Sequence, residues 1–187
     1  GTTTQIDAYG NPTQITTVSQ DIDGTADGTR RTIVNTFSND PATWLLGRLT
    51  GTAVTSTLPD NSSQTRTQAF AYDAAGLLTQ EVVEPGNPSL KLITAYAYDA
   101  FGNRISATVS SDAAAPATAA IVSRTATLTF DSKGQFPVTA KNPLNHTETR
   151  TFNARFGTLA SLTGPNSLQT TWTYDNFGRR LTETRPD

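Results

Sequence analysis

The chain has 187 residues, of which 16% are charged, and its net charge at pH 7 is −2. Without a basic surface it is a poor candidate for nucleic-acid binding, and no apolar run approaches the length of a membrane span. It has no cysteine, which excludes a disulfide framework, a thiolate zinc site and a cysteine nucleophile. Its 35 threonines favour β-strands with branched polar side chains over charged helices.

The first 128 residues alternate strand-like runs with turn signals at unequal spacing. We predict a polar hairpin loop over residues 21–28, followed by a strand over residues 30–37. Further strands are predicted over residues 54–58, 66–72, 78–83 and 92–98. The alanine-rich residues 112–120 are predicted to form a long exposed loop, because a short alanine run is a marginal helix in isolation.

From residue 129 onward, a turn signal returns every eleven residues. The aromatic residues Phe130, Phe152 and Tyr174 mark alternate turns at a spacing of twenty-two. Asp or Asn suits the first position of a turn and Gly suits the fourth. About seven residues remain for each strand, or roughly 23 Å of extended chain. This spacing predicts a β-meander, and its constancy predicts a repeat array.

The turns and the aromatic positions before them are the residues expected to carry the architecture. The predicted turn residues are Asp7, Gly10, Asp73, Gly76, Asp99, Gly102, Asp131, Gly134, Gly157, Asp175 and Gly178. The predicted repeat aromatics are Tyr72, Tyr98, Phe130, Phe152 and Tyr174.

The pattern Tyr-Asp-x-x-Gly, followed by an aliphatic residue, resembles the RHS/YD-repeat family. It occurs at residues 72–78, 98–105 and 174–181, with a near match at residues 130–134. Residues 152–157 carry one extra residue, where we expect a β-bulge. Residues 39–49 also resemble a segment of bacterial RHS proteins of the toxin-complex B-component and virulence-plasmid type.

This resemblance implies an all-β fold, a curved and spiralling array of antiparallel β-hairpins. It implies a non-enzymatic segment of a shell that encloses a C-terminal toxin or other cargo, within a larger secreted or cell-surface bacterial protein. The partners would be the rest of the parent polypeptide and its cargo. The alternative is a cell-surface module that recognises carbohydrate or protein. The self-cleaving C-terminal core of the family is not matched in this sequence, and no cofactor is implied.

The domain prediction is one segment over residues 1–187, with longer loops in residues 1–128 and regular 22-residue repeats in residues 129–187. Because the chain lacks methionine and shows no signal peptide at Gly1, we expect an internal piece of a longer protein. Such a piece would expose unpaired edge strands, through which it could associate with itself.

Few residues point to chemistry. Asp21, Asp23 and Asp27 are spaced as in a Ca²⁺ loop, but a glycine at the sixth position and a closing glutamate are missing, so a polar hairpin loop is the preferred interpretation. The only histidine, His146, follows a turn and is interpreted as an exposed turn residue. Glu81 and Glu84 would point to opposite faces of a strand, which does not suit an acid–base pair.

The aromatic side chains of the strands allow two interpretations. They could form a platform on which sugars stack, or they could pack on one another along the sheet. Their fixed position before each turn favours the second. This set contains Phe70, Tyr72, Tyr96, Tyr98, Phe130, Phe152, Trp172 and Tyr174.

Overall fold

The computed structural model describes residues 1–186, and within them it contains fourteen β-strands and no α-helix. The strands are β1 (Thr2–Ile6), β2 (Pro12–Gln20), β3 (Ala26–Asp40), β4 (Leu45–Thr57), β5 (Ser63–Tyr72), β6 (Leu78–Val83), β7 (Leu92–Tyr98), β8 (Arg104–Ser111), β9 (Arg124–Phe130), β10 (Pro137–Lys141), β11 (Thr147–Asn153), β12 (Thr158–Thr163), β13 (Gln169–Tyr174) and β14 (Arg180–Thr184).

The strands form one sheet in which each is hydrogen-bonded to the strand that follows it in the chain. Neighbouring strands run antiparallel, as in β1–β2 and β13–β14. This arrangement confirms the prediction of an all-β array of antiparallel hairpins. Residues 1–186 contain no helix long and apolar enough to span a membrane.

Two predicted boundaries in the first third of the chain are wrong. The loop predicted over residues 21–28 is shorter, because β3 begins at Ala26, which pairs with Gln20. The strand predicted over residues 54–58 is the end of the 13-residue strand β4. Register shifts between β3 and β4 at Thr36/Phe37 and Ser38/Asp40 let β4 continue through its glycines.

A β-bulge precedes several of the repeat turns. The expected bulge beside the inserted residue is present between Thr151 and Phe152. A register shift also occurs at Ala71/Tyr72 and Thr173/Tyr174, where no residue is inserted. The bulge therefore belongs to the repeat hairpin itself, where it increases the local twist. The inserted residue instead lengthens the turn, and the Gly157 N–H donates to the carbonyl of Asn153 over 2.8 Å.

The chain divides into two compact units. The first comprises residues 1–94 and 110–122, and the second comprises residues 95–109 and 123–186. Val82, which is 8% exposed, is the one hydrophobic residue classed as buried in the part of the chain that the structure describes. Each unit is therefore sheet structure without an enclosed core.

The two faces of the sheet differ in chemistry. In the first unit a row of threonines crosses five strands, since each lies opposite the next in register: Thr3, Thr16, Thr32, Thr55 and Thr65. In the second unit a similar row contains Thr129, Thr139, Thr149 and Thr163. Hydroxyl groups join neighbouring strands on this face, with 2.6 Å between the side-chain oxygens of Thr173 and Thr182. The opposite face of the second unit carries Leu128, Ala140 and Leu162.

Candidate functional site

The repeat turns of each unit lie along one edge of its sheet, because a meander returns to the same edge after every second strand. In the first unit this turn edge contains the β1–β2, β3–β4 and β5–β6 connections. In the second unit it contains the β7–β8, β9–β10, β11–β12 and β13–β14 connections. We use "turn edge" for these connections. The predicted Asp and Gly turn residues all lie on them.

Most of these turns are organised by the carboxylate of their first residue. The Oδ1 atom of Asp99 accepts hydrogen bonds of 2.9 Å from the N–H groups of Phe101 and Asn103. Asp175 makes the same pair of contacts with Phe177 and Arg179, also over 2.9 Å. The turn closes when the glycine N–H donates to the aspartate carbonyl, as Gly102 does to Asp99 over 3.1 Å. The aspartate thus satisfies backbone donors that a tight turn leaves without strand partners.

The residue directly after the turn glycine is a second polar element, which sequence reasoning missed. Asn11 Nδ2 and Asn103 Nδ2 donate to the outer carboxylate oxygen of Asp7 and Asp99 over 2.9 and 3.0 Å. Asn103 Nδ2 also lies 2.8 Å from the carbonyl of Gly134, in the next turn of the second unit. In the sequence, this element is visible as a polar residue directly after Asp-x-x-Gly. Its hydrogen bond to the next turn depends on which strands are neighbours in the sheet.

These hydrogen bonds favour the ionised carboxylates. The Asn11 side chain and the backbone N–H groups that follow lower the pKa of Asp7 below its ordinary value. At Asp99 partial burial raises the pKa, but hydrogen bonds from Asn103 and Phe101 outweigh it, so that the net pKa is lowered. The pKa of Asp175 is lowered chiefly by the N–H of Arg179. The carboxylates of Asp7, Asp99 and Asp175 are therefore charged hydrogen-bond acceptors near neutral pH.

A large side chain of one turn covers the glycine of the next turn in the second unit. A Cβ atom placed on Gly134 would lie 2.5 Å from the ring of Phe101, and one on Gly178 would lie 3.0 Å from the ring of Phe156. Gly134 has a φ of +67° and Gly178 a φ of +80°. Glycine is required for two independent reasons here, since the backbone is left-handed and a ring occupies the side-chain position.

In the first unit, other kinds of side chain cover the turn glycines. A Cβ on Gly76 would lie 3.0 Å from Leu45, and one on Gly47 would lie 2.9 Å from the Asn11 side-chain oxygen. Asn11 is further tied to the neighbouring turn through Asn39, over 3.3 Å. Sequence reasoning found Gly76 but missed Gly47 as a turn glycine, and it missed the covering residues, because they are not at one fixed spacing from the glycine.

Two of the repeat tyrosines, Tyr72 and Tyr174, each bind the preceding hairpin through a hydrogen bond. The hydroxyl of Tyr72 donates to the carbonyl of Leu49 over 2.9 Å, and that of Tyr174 donates to the carbonyl of Leu159 over 2.7 Å. Both acceptors lie two residues after a turn glycine. Arg48 stands over the Tyr72 ring at 5.6 Å, which adds a cation–π contact.

Other strand aromatics also contact the protein itself. Phe136 and Phe152 stack at a centroid distance of 4.9 Å, and Trp172 Nε1 donates to Glu183 over 3.1 Å. Trp44, in contrast, is 79% exposed and has a φ of +60°. Trp44 is thus one of the most exposed aromatic side chains of the described chain.

The other candidates from the sequence are turn and surface residues. Asp23 accepts from the N–H of Thr25 over 2.9 Å and Asp27 from that of Thr29 over 2.7 Å, so these carboxylates stabilise their own loop. Among residues 1–186, no three acidic or histidine side chains come together as a metal-binding group. Glu84 lies outside β6 and accepts from the N–H of Thr67 over 3.2 Å.

A groove of about 430 Å³ opens on the leucine-bearing face of the second unit. Its floor is formed by small and apolar side chains, including Ala107, Ala126 and Leu128, and Arg104 and Glu148 also line it. The Glu148 carboxylate pairs with Arg150. His146 lines the same groove, with its Nδ1 atom 3.4 Å from the Asn142 side-chain nitrogen. The arrangement offers apolar contact with charged margins.

Comparisons with known proteins agree with this architecture. Residues 155–187 match the family described as RHS Repeat. The crystal structure of TcdB2-TccC3-TEV is similar to 95% of this chain with a TM-score of 0.54 and 15% identity. That of TcdB2-TccC3 without hypervariable C-terminal region is similar to 98% of it with a TM-score of 0.55 and 16% identity. No curated protein sequence matches the chain.

The fold is therefore that of an RHS-type array of β-hairpins, and the resemblance to RHS/YD-repeat proteins is confirmed. The chain spans 10% of the length of each of these two solved chains. At such low identity the similarity establishes the fold alone, and the site residues rest on the geometry of the turn edge.

Proposed function

We propose that this chain is a non-enzymatic wall segment of an RHS-repeat shell, which encloses a C-terminal toxin or other cargo within a larger secreted bacterial protein. The observation that carries the proposal is the stacking of turns, in which Phe101 covers Gly134 and Phe156 covers Gly178. Within the second unit these hairpins are fitted to one another, which supports an array that extends by repetition. The near absence of buried side chains supports a wall over a self-contained catalytic domain.

The turn residues are proposed to be the functional residues of this wall. Asp99 holds its own turn, and Asn103 links that turn to Gly134. The repeat aromatics join neighbouring strands, as Tyr174 does through the carbonyl of Leu159. The partners in this view are the rest of the parent polypeptide and the cargo that it encloses.

Electron microscopy of the parent protein tests the shell directly, and protease protection of its C-terminal region provides a second measurement. We expect a closed hollow particle with internal density and a protected C-terminal region. In the same parent, Gly134→Asn should weaken protection because it disrupts turn stacking, whereas Gly102→Asn is the matched control. An open particle with an equally accessible C-terminal region would contradict the proposal.

The alternative is a surface module that recognises carbohydrate or protein, and the exposure of Trp44 favours it. Titration with a glycan panel, monitored by tryptophan fluorescence in Trp44→Phe and Trp172→Phe variants, separates the two functions. A saturable response that is lost with Trp44→Phe and kept with Trp172→Phe would establish recognition. No response from either tryptophan would leave the wall segment as the better account.

A further inference from the structure

The groove on the leucine-bearing face of the second unit has a floor of small side chains. Ala107 lies opposite Ala126 on the neighbouring strand, and Leu128 lies opposite Ala140 on the strand after it. Ala140 in turn lies opposite Glu148 on β11. Because alternate residues of a strand share a face, alanines occupy this face on three adjacent strands, β8, β9 and β10. The small volume of these side chains leaves a depression of about 430 Å³.

The groove has the dimensions of a small-molecule site. It is lined from β8, β9, β10 and β11, and all its lining residues belong to the second unit. Three strand spacings give it an extent of roughly 14 Å across the sheet. Its volume lies within the range of roughly 300–1,000 Å³ that is usual for ligand pockets. These dimensions suit a short, elongated molecule with an apolar body.

The charges around the groove favour an anionic ligand. Among the described residues that line it, Arg104, Lys141 and Arg150 are cationic, whereas Glu148 is the one acidic residue. The Glu148 carboxylate pairs with Arg150, which leaves the charges of Arg104 and Lys141 in excess. The chain as a whole carries a net charge of −2. The groove is therefore a local site of positive charge on an acidic chain, and such a site attracts an anion.

Arg104 is the lining residue best suited to bind a carboxylate. Its guanidinium carbon lies 5.1 Å from the centroid of the Tyr96 ring. A ring contact of this kind uses the face of the guanidinium and restricts its orientation. The N–H groups of a guanidinium point outward in its plane, as a fork that matches the two oxygens of a carboxylate. Arg104 is thus oriented by a contact that leaves this fork geometry intact.

We propose that the groove binds a small amphipathic carboxylate, whose charged end pairs with Arg104 and whose apolar body lies over Ala126 and Ala140. The apolar body is stabilised by leaving water, in proportion to the area that the groove covers. The ion pair selects the acid over a neutral molecule of the same length, and the alanine floor selects it over a small inorganic anion. The site does not depend on the shell function, because it lies within one unit.

Titration of the 187-residue chain with octanoate, followed by heteronuclear NMR, tests the site against 1-octanol, which has the same length and no charge. We expect saturable shifts of the amide signals of Ala107, Ala126 and Ala140, and about ten- to hundredfold weaker binding of 1-octanol. Arg104→Gln should reduce the affinity for octanoate to that for 1-octanol. Arg31→Gln, at an exposed position of β3, is the control. Added salt should weaken the binding of octanoate alone.

Filling the groove provides a second test. Ala126 is an exposed residue, so Ala126→Phe places a ring over the floor without repacking a core, and circular dichroism verifies the fold. We expect this variant to lose the binding of octanoate and 1-octanol, whereas Ala117→Phe, at an exposed loop position, keeps both. The proposal is overturned if octanoate does not bind at millimolar concentration or binds no more tightly than 1-octanol. Amide shifts confined to the first unit, or unchanged binding to Ala126→Phe, would also overturn it.

Discussion

Glycine is required at the turn edge both by a left-handed backbone and by a covering ring, and two matched substitutions can separate these two effects. Gly102 and Gly134 have φ values of +83° and +67°, so both favour glycine and both tolerate asparagine. They differ in their surroundings. A Cβ at position 102 meets no atom within 4 Å, whereas at position 134 it lies 2.5 Å from the ring of Phe101.

Gly134→Asn should therefore destabilise the protein more than Gly102→Asn. The ring must move or leave its site, and overpacking of this kind costs about 1–3 kcal/mol. The backbone contribution is shared by the two variants and cancels in the comparison. For a chain of this size, each kcal/mol lowers the melting temperature by about 2–4 °C. Thermal and urea unfolding followed by circular dichroism measure this difference.

Removal of the ring provides the control. In a Phe101→Ala background the two asparagine variants should lose similar stability, because the obstructing side chain is gone, and a double-mutant cycle gives the coupling energy between positions 101 and 134. If Gly102→Asn and Gly134→Asn are equally destabilising in the Phe101 background, backbone conformation alone explains the glycine and the covering contact has no energetic role.

Three further outcomes follow from the same contacts. Tyr174→Phe should lower stability by about 1 kcal/mol, because it removes the hydroxyl donor to Leu159, and urea unfolding measures this. Gly178→Val should destabilise more than Gly102→Val in a thermal melt, because Phe156 lies 3.0 Å from a Cβ at position 178. Since the pKa of Asp175 is lowered in the folded chain, its contribution is present above the unfolded pKa of about 3.9 and is lost as the pH falls below it. Asp175→Asn, which keeps the acceptor oxygen, should reduce the fall in melting temperature between about pH 5 and pH 3, and an unchanged profile would contradict this role.

The architecture was predictable because each hairpin is marked by a short local sequence signal. An aspartate and a glycine three positions apart define a turn within four residues, and strands between turns need only β-branched and aromatic side chains. The predicted strand boundaries were wrong where pairing with another strand decides where a strand begins. The strand β3 extends back to Ala26 because Gln20 pairs with it, although residues 21–28 are rich in turn formers. Pairing across the hairpin outweighs local turn preference there.

The contacts between turns were not predictable in the same way. Phe101 precedes Gly102, yet the glycine that it covers is Gly134, thirty-three residues after Phe101 in the chain. The intervening β8–β9 connection lengthens this separation without changing the stacking. Between Phe156 and Gly178 the separation is twenty-two residues, with the same contact at the turn edge. Sequence periodicity therefore identifies the hairpins, whereas the strand order determines which residues of different turns meet.

The contacts between turns also determine which insertions and substitutions an RHS-type array can tolerate. Insertions at the connections opposite the turn edge, such as residues 112–123, leave the turn contacts of each unit intact because they lie at the other ends of the strands. A substitution at a covered glycine changes no length, yet it places a side chain where a neighbouring ring already lies. Such an array should thus accept variation in loop length at one edge, while at the turn edge it is constrained residue by residue.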